Sequence, residues 1–477
     1  MKFPVEHWPK LRSVKQPVAW SIAGSDPSGG AGIQADLKTF AGLDVHGCSI
    51  ITAITAQNSH QVDHWQPVGT DMIEAQFNSL ETDYAPYAIK LGMLGNREHI
   101  ECVANLLERR LKTHPNTPII ADPIMMSSSG RELMSSDAVD AYKTHILPKV
   151  TLLTPNSEEE SSFDLPSNRV LRKGGHDADP DWSIDTWQDI PLYLPRLKDA
   201  DARGTGCTLS SAITACLAKG YPLHDAIVVA KAVLHHSLAA RRSIGAGQAN
   251  LGPATLELAP ESFPTIGQPA AHCFATFVPP TLPLYPIVDS IDWVKRLLEH
   301  GIGLVQIRLK NREDADRRSE IKQAIELGNQ HPGNVIINDE WELALEFGAY
   351  GVHLGQDDLV TADLDALRAA RMVLGLSTHS PFEIARALAY KPSYIAIGTV
   401  HQTSSKVMDY EALGAERFEQ FAGWLDLPVV AIGGINSGNA QDLLSRGASC
   451  CAVISEVTQA PDLNLRLDKW RALPSPN

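Results

Sequence analysis

The chain has 477 residues, 44% hydrophobic and 20% charged, which is ordinary for globular protein and too long for one core, so about two domains are expected. A formal net charge of -15 argues against a nucleic-acid partner, which asks for a basic face, yet leaves room for anionic small molecules held in a local field. Seven cysteines without a C-x-x-C pair read as free thiols in a reducing compartment. No run of roughly 18 apolar residues suggests a membrane span, and the N-terminus MKFPVEHWPKLRSV has no signal-peptide core. The expectation is a cytoplasmic enzyme of small molecules, with homo-oligomerisation left open.

In chain order, the first strand candidates are VAWSIAG, VHGCSIITAIT, AIKLGML, TPIIADPIM, VTLLTPN and VLRKGG, separated by helical stretches. That alternation predicts an α/β unit, an open and mostly parallel sheet with helices on both faces, with ligands beyond the carboxyl ends of the strands. The first strand runs into GSDPSGGAGIQADL, residues 24–37. Glycines free the backbone N–H groups there and the next helix adds its positive dipole end, so a phosphate cradle is one reading. On that helix Ile33, Leu37 and Phe40 share a stripe, and Asp36 borders it about 60° away. Its carboxylate is placed to receive a substrate donor, or else to cap the helix or pair with a lysine. A second glycine turn, ARGTGCTLSSAITACLA at 202–218, would present the N–H groups of Thr205, Gly206 and Cys207, behind Gly204, to an anion. The same helix dipole predicts a lowered thiol pKa at Cys207; the alternative is a buried cysteine in a packing turn.

Prolines at 260, 264, 269, 279, 280 and 283 then break any helix or central strand. We read residues 1–265 as one domain, 266–283 as a Pro-rich linker and 284–477 as a second domain; Phe274 and Phe277 suggest that part of the linker packs. After it come LYPIVD, GLVQIRLK, NVIIND, YGVHL, VLGLST, YIAIGTV, PVVAIGG and CCAVIS, with amphipathic helices between them. Near-continuous apolar strands alternating with helices predict a small (β/α)8 TIM barrel.

Polar residues gather at the ends of those strands, where such a barrel places its active site. They are Gln306, Arg308 and Lys310; Asn338 and Asp339; Asp358; Ser377; Thr403, Ser405 and Lys406; Gly433 and Gly434; and Ile454 with Ser455. Asp339 and Asp358, on neighbouring strand ends, can hold one Mg2+ beside substrate oxygens. Lys310, Lys406 and Asn338 suit a diphosphate, and the last two turns suit a second phosphate. Any one of these residues reads equally well as a turn acid or a surface lysine; their convergence on one rim carries the expectation.

The segments VQIRLK, INDEWELALEFGAYGVHLGQDDL, LGLSTHS, VVAIGGI and AVISEVTQA resemble thiamine phosphate synthase along nearly the whole second half. The resemblance implies joining 4-amino-5-hydroxymethyl-2-methylpyrimidine diphosphate to thiazole phosphate with release of pyrophosphate. It places Gln306, Lys310, Asn338, Asp339, Asp358, Ser377 and Lys406 around the pyrimidine diphosphate and Mg2+, with Arg308 as a further substrate-binding residue. Thr403, Ser405, Gly434, Ile454 and Ser455 fall on the thiazole phosphate side. Lys310 and Lys406, with the metal, are the groups expected to stabilise the departing anion. Where the family reads phenylalanine-proline-threonine this chain has His401–Gln402–Thr403, which predicts a loop of altered shape.

The segments SIAGSDPSGGAGIQADLKTF, KLGMLG, TPN, KGGH and GTGCTLSSAI resemble hydroxymethylpyrimidine/phosphomethylpyrimidine kinase, a ribokinase-like fold. The resemblance implies ATP as co-substrate, with the opening loop over the acceptor and Asp36 and Gln57 bonded to the pyrimidine. Gly204, Thr205 and Gly206 then form the anion hole, with Cys207 as the catalytic group. Asn156 and Glu159 match an N-x-x-E pattern that organises Mg2+, and Lys173 points toward ATP. Two departures stand out: only SSFDLPSNRVL separates TPNSEEE from RKGGH, tight for a parallel crossover, and Ala202–Arg203 replace the usual threonine and histidine. The two resemblances together imply successive steps of one pathway in one chain. Alternatives for the first half are a pyridoxal-type kinase or a non-catalytic pyrimidine-binding regulatory domain.

Overall fold

The computed structural model describes residues 16–126, 133–163, 165–175, 179–310, 312–402 and 412–473. The chain forms two compact units and passes from one to the other between Gln268 and Pro269.

In the first unit, β1 (Val18–Ser25), β2 (His46–Gln57), β3 (Val62–Pro67), β4 (Ala88–Leu91), β5 (Ile119–Ala121) and β6 (Leu152–Leu153) form a sheet of order β3-β2-β1-β4-β5-β6. Every pairing is parallel except β2 with the edge strand β3. The central strands explain the arrangement: β4 is buried at all positions and β1 at all but its ends, as a sheet covered on both faces requires. Helices Thr70–Glu81 and Arg97–Thr113 pack together, as do Gly32–Gly42 and Thr205–Ala218. Arg97–Thr113 shows how local sequence sets an element. The Asn96 side chain accepts from His99 N at its start, Glu98 lies in the first turn, and Arg110 and Lys112 in the last. Its Ile100, Val103 and Leu107 join Trp20, Phe77 and Ile89 in the core.

The segment read as a sixth parallel strand goes elsewhere. β7 (Leu171–Arg172) touches β6 only through the parallel bridge Leu153–Val170 and pairs antiparallel with β8 (Trp182–Trp187). With β9 (Ile190–Pro195) and β12 (Thr265–Ile266) it makes an antiparallel sheet of order β12-β9-β8-β7. The short connection after β6 allows one bridge, not a ladder. Two further strands, β10 (Ala202–Arg203) and β11 (Ala249–Asn250), pair beside the glycine turn.

The second unit is a closed parallel barrel of β13 (Leu284–Val288), β14 (Leu304–Ile307), β15 (Asn334–Asn338), β16 (Gly351–Leu354), β17 (Val373–Thr378), β18 (Tyr394–Ile397), β19 (Val429–Ile432) and β20 (Cys450–Val453). All eight strands lie within the sequence-predicted segments and all but β17 are shorter, so Arg308 and Lys310 belong to the loop after β14. The linker reading of 266–283 is corrected at both ends. Thr265–Ile266 closes the first unit's antiparallel sheet. Beyond Pro269, the backbone N–H groups of Ala270, Phe274 and Ala275 donate to Ala389, Lys391 and Met372 at 2.8, 3.3 and 3.3 Å. Phe277 packs on Tyr394 with ring centroids 4.5 Å apart, inside the barrel core. Apolar side chains among the prolines bind the segment to the barrel.

Candidate active sites

In the first unit a cavity of about 480 Å³ is walled by both glycine-rich stretches, by Gln57 and by Asn156, Glu159 and Lys173. The opening loop does not offer its amides to a ligand. Asp26, 1% exposed, takes them: Oδ1 accepts from Ser28 N at 2.8 Å, and Oδ2 from Gly30 N at 3.1 Å and Ala31 N at 2.8 Å. The phosphate-cradle reading of this loop is therefore corrected. Arg203 ties the loop to the second turn, donating to Asp26 Oδ2 at 3.2 Å and to Ser28 Oγ at 2.8 Å. Gly204 has a φ of 76°, and a Cβ there would stand 2.1 Å from Gly30 O, so only glycine lets the two turns meet.

The helix Thr205–Ala218 starts at that turn, so the first amides of Thr205, Gly206 and Cys207 have no acceptor within the helix. A Cβ placed on Gly206 would lie 3.1 Å from Asp122 Oδ2 and 3.2 Å from Lys173 Nζ, which locates those charges at the helix start. Lys173 donates to Asp122 Oδ1 at 3.0 Å. Burial raises the Glu159 pKa and nearby Asp122 adds to the effect, with Lys173 opposing. Asn156 and Glu159 form a helix capping box: Glu159 N donates to Asn156 Oδ1 at 2.8 Å and Asn156 N to Glu159 Oε2 at 3.0 Å. Asn156 thus fixes Glu159 through the backbone.

Two sequence expectations fail here. Burial pushes the Cys207 thiol up to about 11, against the opposing pull of Lys90, so the dipole-lowered thiolate is not the resting form. Asp36 is fully buried and is not a wall of the cavity. It accepts from Lys90 Nζ at 2.8 and 3.0 Å, from Ser21 Oγ and from Ser211 Oγ at 2.8 Å. Lys90 keeps a raised pKa against its burial because Asp36, then Cys207 and Asp122, hold its charge. The helix pattern located Asp36 at the edge of a buried face; what it could not reveal was a lysine rising from β4 beneath it. Asp122 was missed although its signal, an acid directly after the apolar run of β5, is plain in TPIIADPIM. The buried pair Asp185–Lys231, 3.0 Å apart on another wall, was also missed.

In the barrel, the C-terminal strand ends bring Arg308, Asn338, Asp339 and Asp358 together. Asp339 sits at a φ of 62°, a conformation that aspartate tolerates better than most residues. Burial and the neighbouring Asp358 carboxylate raise its pKa to about 6, opposed by Arg308 and by a hydrogen bond to Asn338. Asp358 Oδ2 also accepts from Gly355 N at 2.9 Å. Gln306 and Ser377 join an interior chain instead of standing free. Gln306 Nε2 donates to Tyr285 Oη at 2.9 Å, which lies 2.9 Å from Tyr394 Oη. His353 bridges onward, with Nδ1 3.0 Å from Tyr394 Oη and Nε2 2.8 Å from Ser377 Oγ. Burial, then Arg308, lowers the His353 pKa to about 4. Tyr285, His353 and Tyr394 were missed because they lie inside the strands and read as core.

Lys310 is exposed beyond β14. Gly434, Ile454 and Ser455 follow the paired strands β19 and β20; Gly434 O accepts from Asn439 Nδ2 at 3.0 Å and Ile454 is 37% exposed. His401 N donates to Gly433 O at 3.0 Å, which brings the altered loop to this end. Thr403, Ser405 and Lys406 lie outside the described residues.

The phosphomethylpyrimidine kinase family matches residues 26–164 and 160–252, and the thiamine monophosphate synthase family residues 284–457. A chloroplastic thiamine biosynthetic bifunctional enzyme of Arabidopsis thaliana is 31% identical over 464 residues, which is 90% of this chain and 87% of that protein. A probable counterpart of Oryza sativa subsp. japonica is 31% identical over 495 residues, 95% of this chain and 88% of its own. Thiamine-phosphate synthase of Klebsiella pneumoniae subsp. pneumoniae is 46% identical over 197 residues, 41% of this chain and 93% of that one. The chain belongs to the bifunctional thiamine biosynthetic enzymes, with a phosphomethylpyrimidine kinase domain followed by a thiamine-phosphate synthase domain.

Proposed function

We propose that the first unit phosphorylates 4-amino-5-hydroxymethyl-2-methylpyrimidine and then its monophosphate with ATP, and that the barrel joins the diphosphate to thiazole phosphate with loss of pyrophosphate. The observation that carries the kinase step is the meeting of the Asp26-braced loop and the G-T-G-C turn, with Lys173 beside it, in one cavity. The loop and Gln57 hold the acceptor. Its hydroxyl oxygen attacks the terminal phosphorus of ATP, ADP leaves with the bonding electrons, and the hydroxyl proton passes to the thiolate form of Cys207, which has first lost its own proton to solvent. The amides of Thr205, Gly206 and Cys207, with Lys173, neutralise the transferring phosphoryl group. Asp122 and Glu159, two acids close enough to raise the pKa of one of them, suit a divalent cation and would hold Mg2+. When bound, it supplies charge neutralisation on the phosphate oxygens.

In the barrel, the bond between the pyrimidine methylene carbon and the diphosphate oxygen breaks, and its electron pair leaves with pyrophosphate. The ring's amino group delocalises the resulting cation, and the thiazole nitrogen then supplies the pair for the new carbon–nitrogen bond. Arg308 and Lys310, with Lys406, neutralise the leaving group. Asp339 and Asp358 would hold Mg2+, since a divalent cation would relieve their mutual repulsion and supply charge neutralisation for the diphosphate. Asn338, Gln306 and Ser377 hold the pyrimidine side, and Thr403, Ser405, Gly434, Ile454 and Ser455 the thiazole phosphate. Among the described residues no helix is long and apolar enough to cross a membrane, and all seven cysteines are free; the free thiols support a cytoplasmic setting.

Incubating the purified chain with ATP, Mg2+ and either hydroxymethylpyrimidine or pyridoxal tests the kinase assignment. Pyrimidine diphosphate is the expected product. Pyridoxal phosphate alone, or pyrimidine binding without turnover, would contradict it.

A further inference from the structure

We infer that the barrel contains a one-way hydrogen-bond relay, Gln306 to Tyr285 to Tyr394 to His353 to Ser377, which fixes the imidazole tautomer and leaves the Ser377 hydroxyl proton free to be given to the ligand. His353 is then a positioning residue that acts through Ser377; the ligand half of this statement rests on the synthase reading, the relay itself does not.

The number of protons on each group sets the direction. A glutamine NH2 only donates, and Gln306 Nε2 stands 2.9 Å from Tyr285 Oη. A phenol has one proton, so Tyr285, accepting from Gln306, has its own proton to give to Tyr394 Oη, 2.9 Å away. Tyr394, accepting in turn, gives its proton to His353 Nδ1 at 3.0 Å. A ring nitrogen that accepts carries no proton, so the neutral imidazole holds its proton on Nε2, 2.8 Å from Ser377 Oγ. Ser377 therefore accepts from inside the barrel, and its own proton has no partner among the described residues. Gln306, Tyr285, Tyr394 and His353 are 2%, 1%, 0% and 6% exposed, so water does not reset the polarity. His353 and Tyr394 stack with centroids 5.7 Å apart at 23°, which holds the ring in place. Ser377 itself, near the C-terminal end of β17, is only half-buried. With the polarity reversed, the hydroxyl would donate inward and turn a lone pair toward an anionic ligand.

Nuclear magnetic resonance of the full chain labelled with 15N-histidine reads the tautomer directly, with the His353 signals identified by their loss in His353→Phe. At pH 8 without ligand, the Nε2–H form is expected; the Nδ1–H form overturns the relay. In Gln306→Glu the terminal carboxylate only accepts, so His353 should switch to Nδ1–H, and an unchanged tautomer would show that Gln306 does not set the direction. Kinetics supply the third arm. Ser377→Ala and His353→Phe should each raise KM for the pyrimidine diphosphate about tenfold, and the double variant no further, since both remove one charge-assisted hydrogen bond. Additive losses would refute action through Ser377. An Nε2–H tautomer in a chain without synthase activity would leave the relay standing and remove the synthase reading instead.

Discussion

Asp339 and Cys207 both have pKa values raised by burial, and both shifts favour higher pH for the deprotonated, working form. Asp339 titrates at about 6 in the folded chain, against about 3.9 for a free aspartate, so the native state binds the proton more tightly. That preference stabilises the metal-free fold in acid and is lost as pH rises through 6. A cation reverses the balance, because it competes with the same proton. The apparent Mg2+ affinity of the synthase should therefore weaken about tenfold per pH unit below 6 and level off above it, as activity titrations with Mg2+ from pH 5 to 8 would show. A flat profile would remove the pair as the metal site. For Cys207, a thiol at about 11 that must act as base predicts kinase kcat/KM rising about tenfold per pH unit from pH 7 to 9, with Cys207→Ser slow and flat. A wild-type rate independent of pH over that range would exclude the thiol from proton transfer.

Elements were legible where a single pattern decides them. The eight barrel strands announce themselves as short apolar runs because both faces are covered, and β1, β4, β5 and β6 of the open sheet do so for the same reason. The β8–β9 hairpin was not legible. Its two turn residues, Gln188 and Asp189, both take positive φ (52° and 61°), the geometry that Asn-Gly normally signals, and Gln-Asp gives no such signal. Replacing Gln188–Asp189 by Asn-Gly should stabilise the first unit by about 1 kcal/mol in urea unfolding, since left-handed backbone costs ordinary residues roughly that much each; no gain would mean the strands set the turn. Site residues follow the same rule. The glycine turns and rim acids were readable, whereas Asp36 was assigned to ligand because its partner Lys90 lies 54 residues away in sequence. Arg203 belongs to this scale because it joins two elements. Arg203→Ala leaves the buried Asp26 carboxylate without its cation, so it should cost about 3 kcal/mol and raise KM for the acceptor. Arg203→Lys should recover part of both, and an unaltered unfolding midpoint in Arg203→Ala would show that the tie is incidental.

At the scale of the whole molecule, composition anticipated two units and the prolines indicated where they part, but the prolines overstated the gap. Phe274 and Phe277 draw the segment after Pro269 onto the barrel, a contact that no local propensity reveals. Each unit carries its own core and its own phosphate chemistry, and the product proposed for the first is the substrate proposed for the second. Covalent linkage fixes their ratio at one to one and raises local concentration, to about millimolar for a short tether. The most direct measurement supplies the intact chain with hydroxymethylpyrimidine, ATP, Mg2+ and thiazole phosphate and follows every phosphorus-containing product by phosphorus resonance. The account predicts thiamine phosphate, with two ADP and one pyrophosphate released for each molecule made. Pyrimidine diphosphate that never forms, or that forms and accumulates unused beside thiazole phosphate, would contradict it.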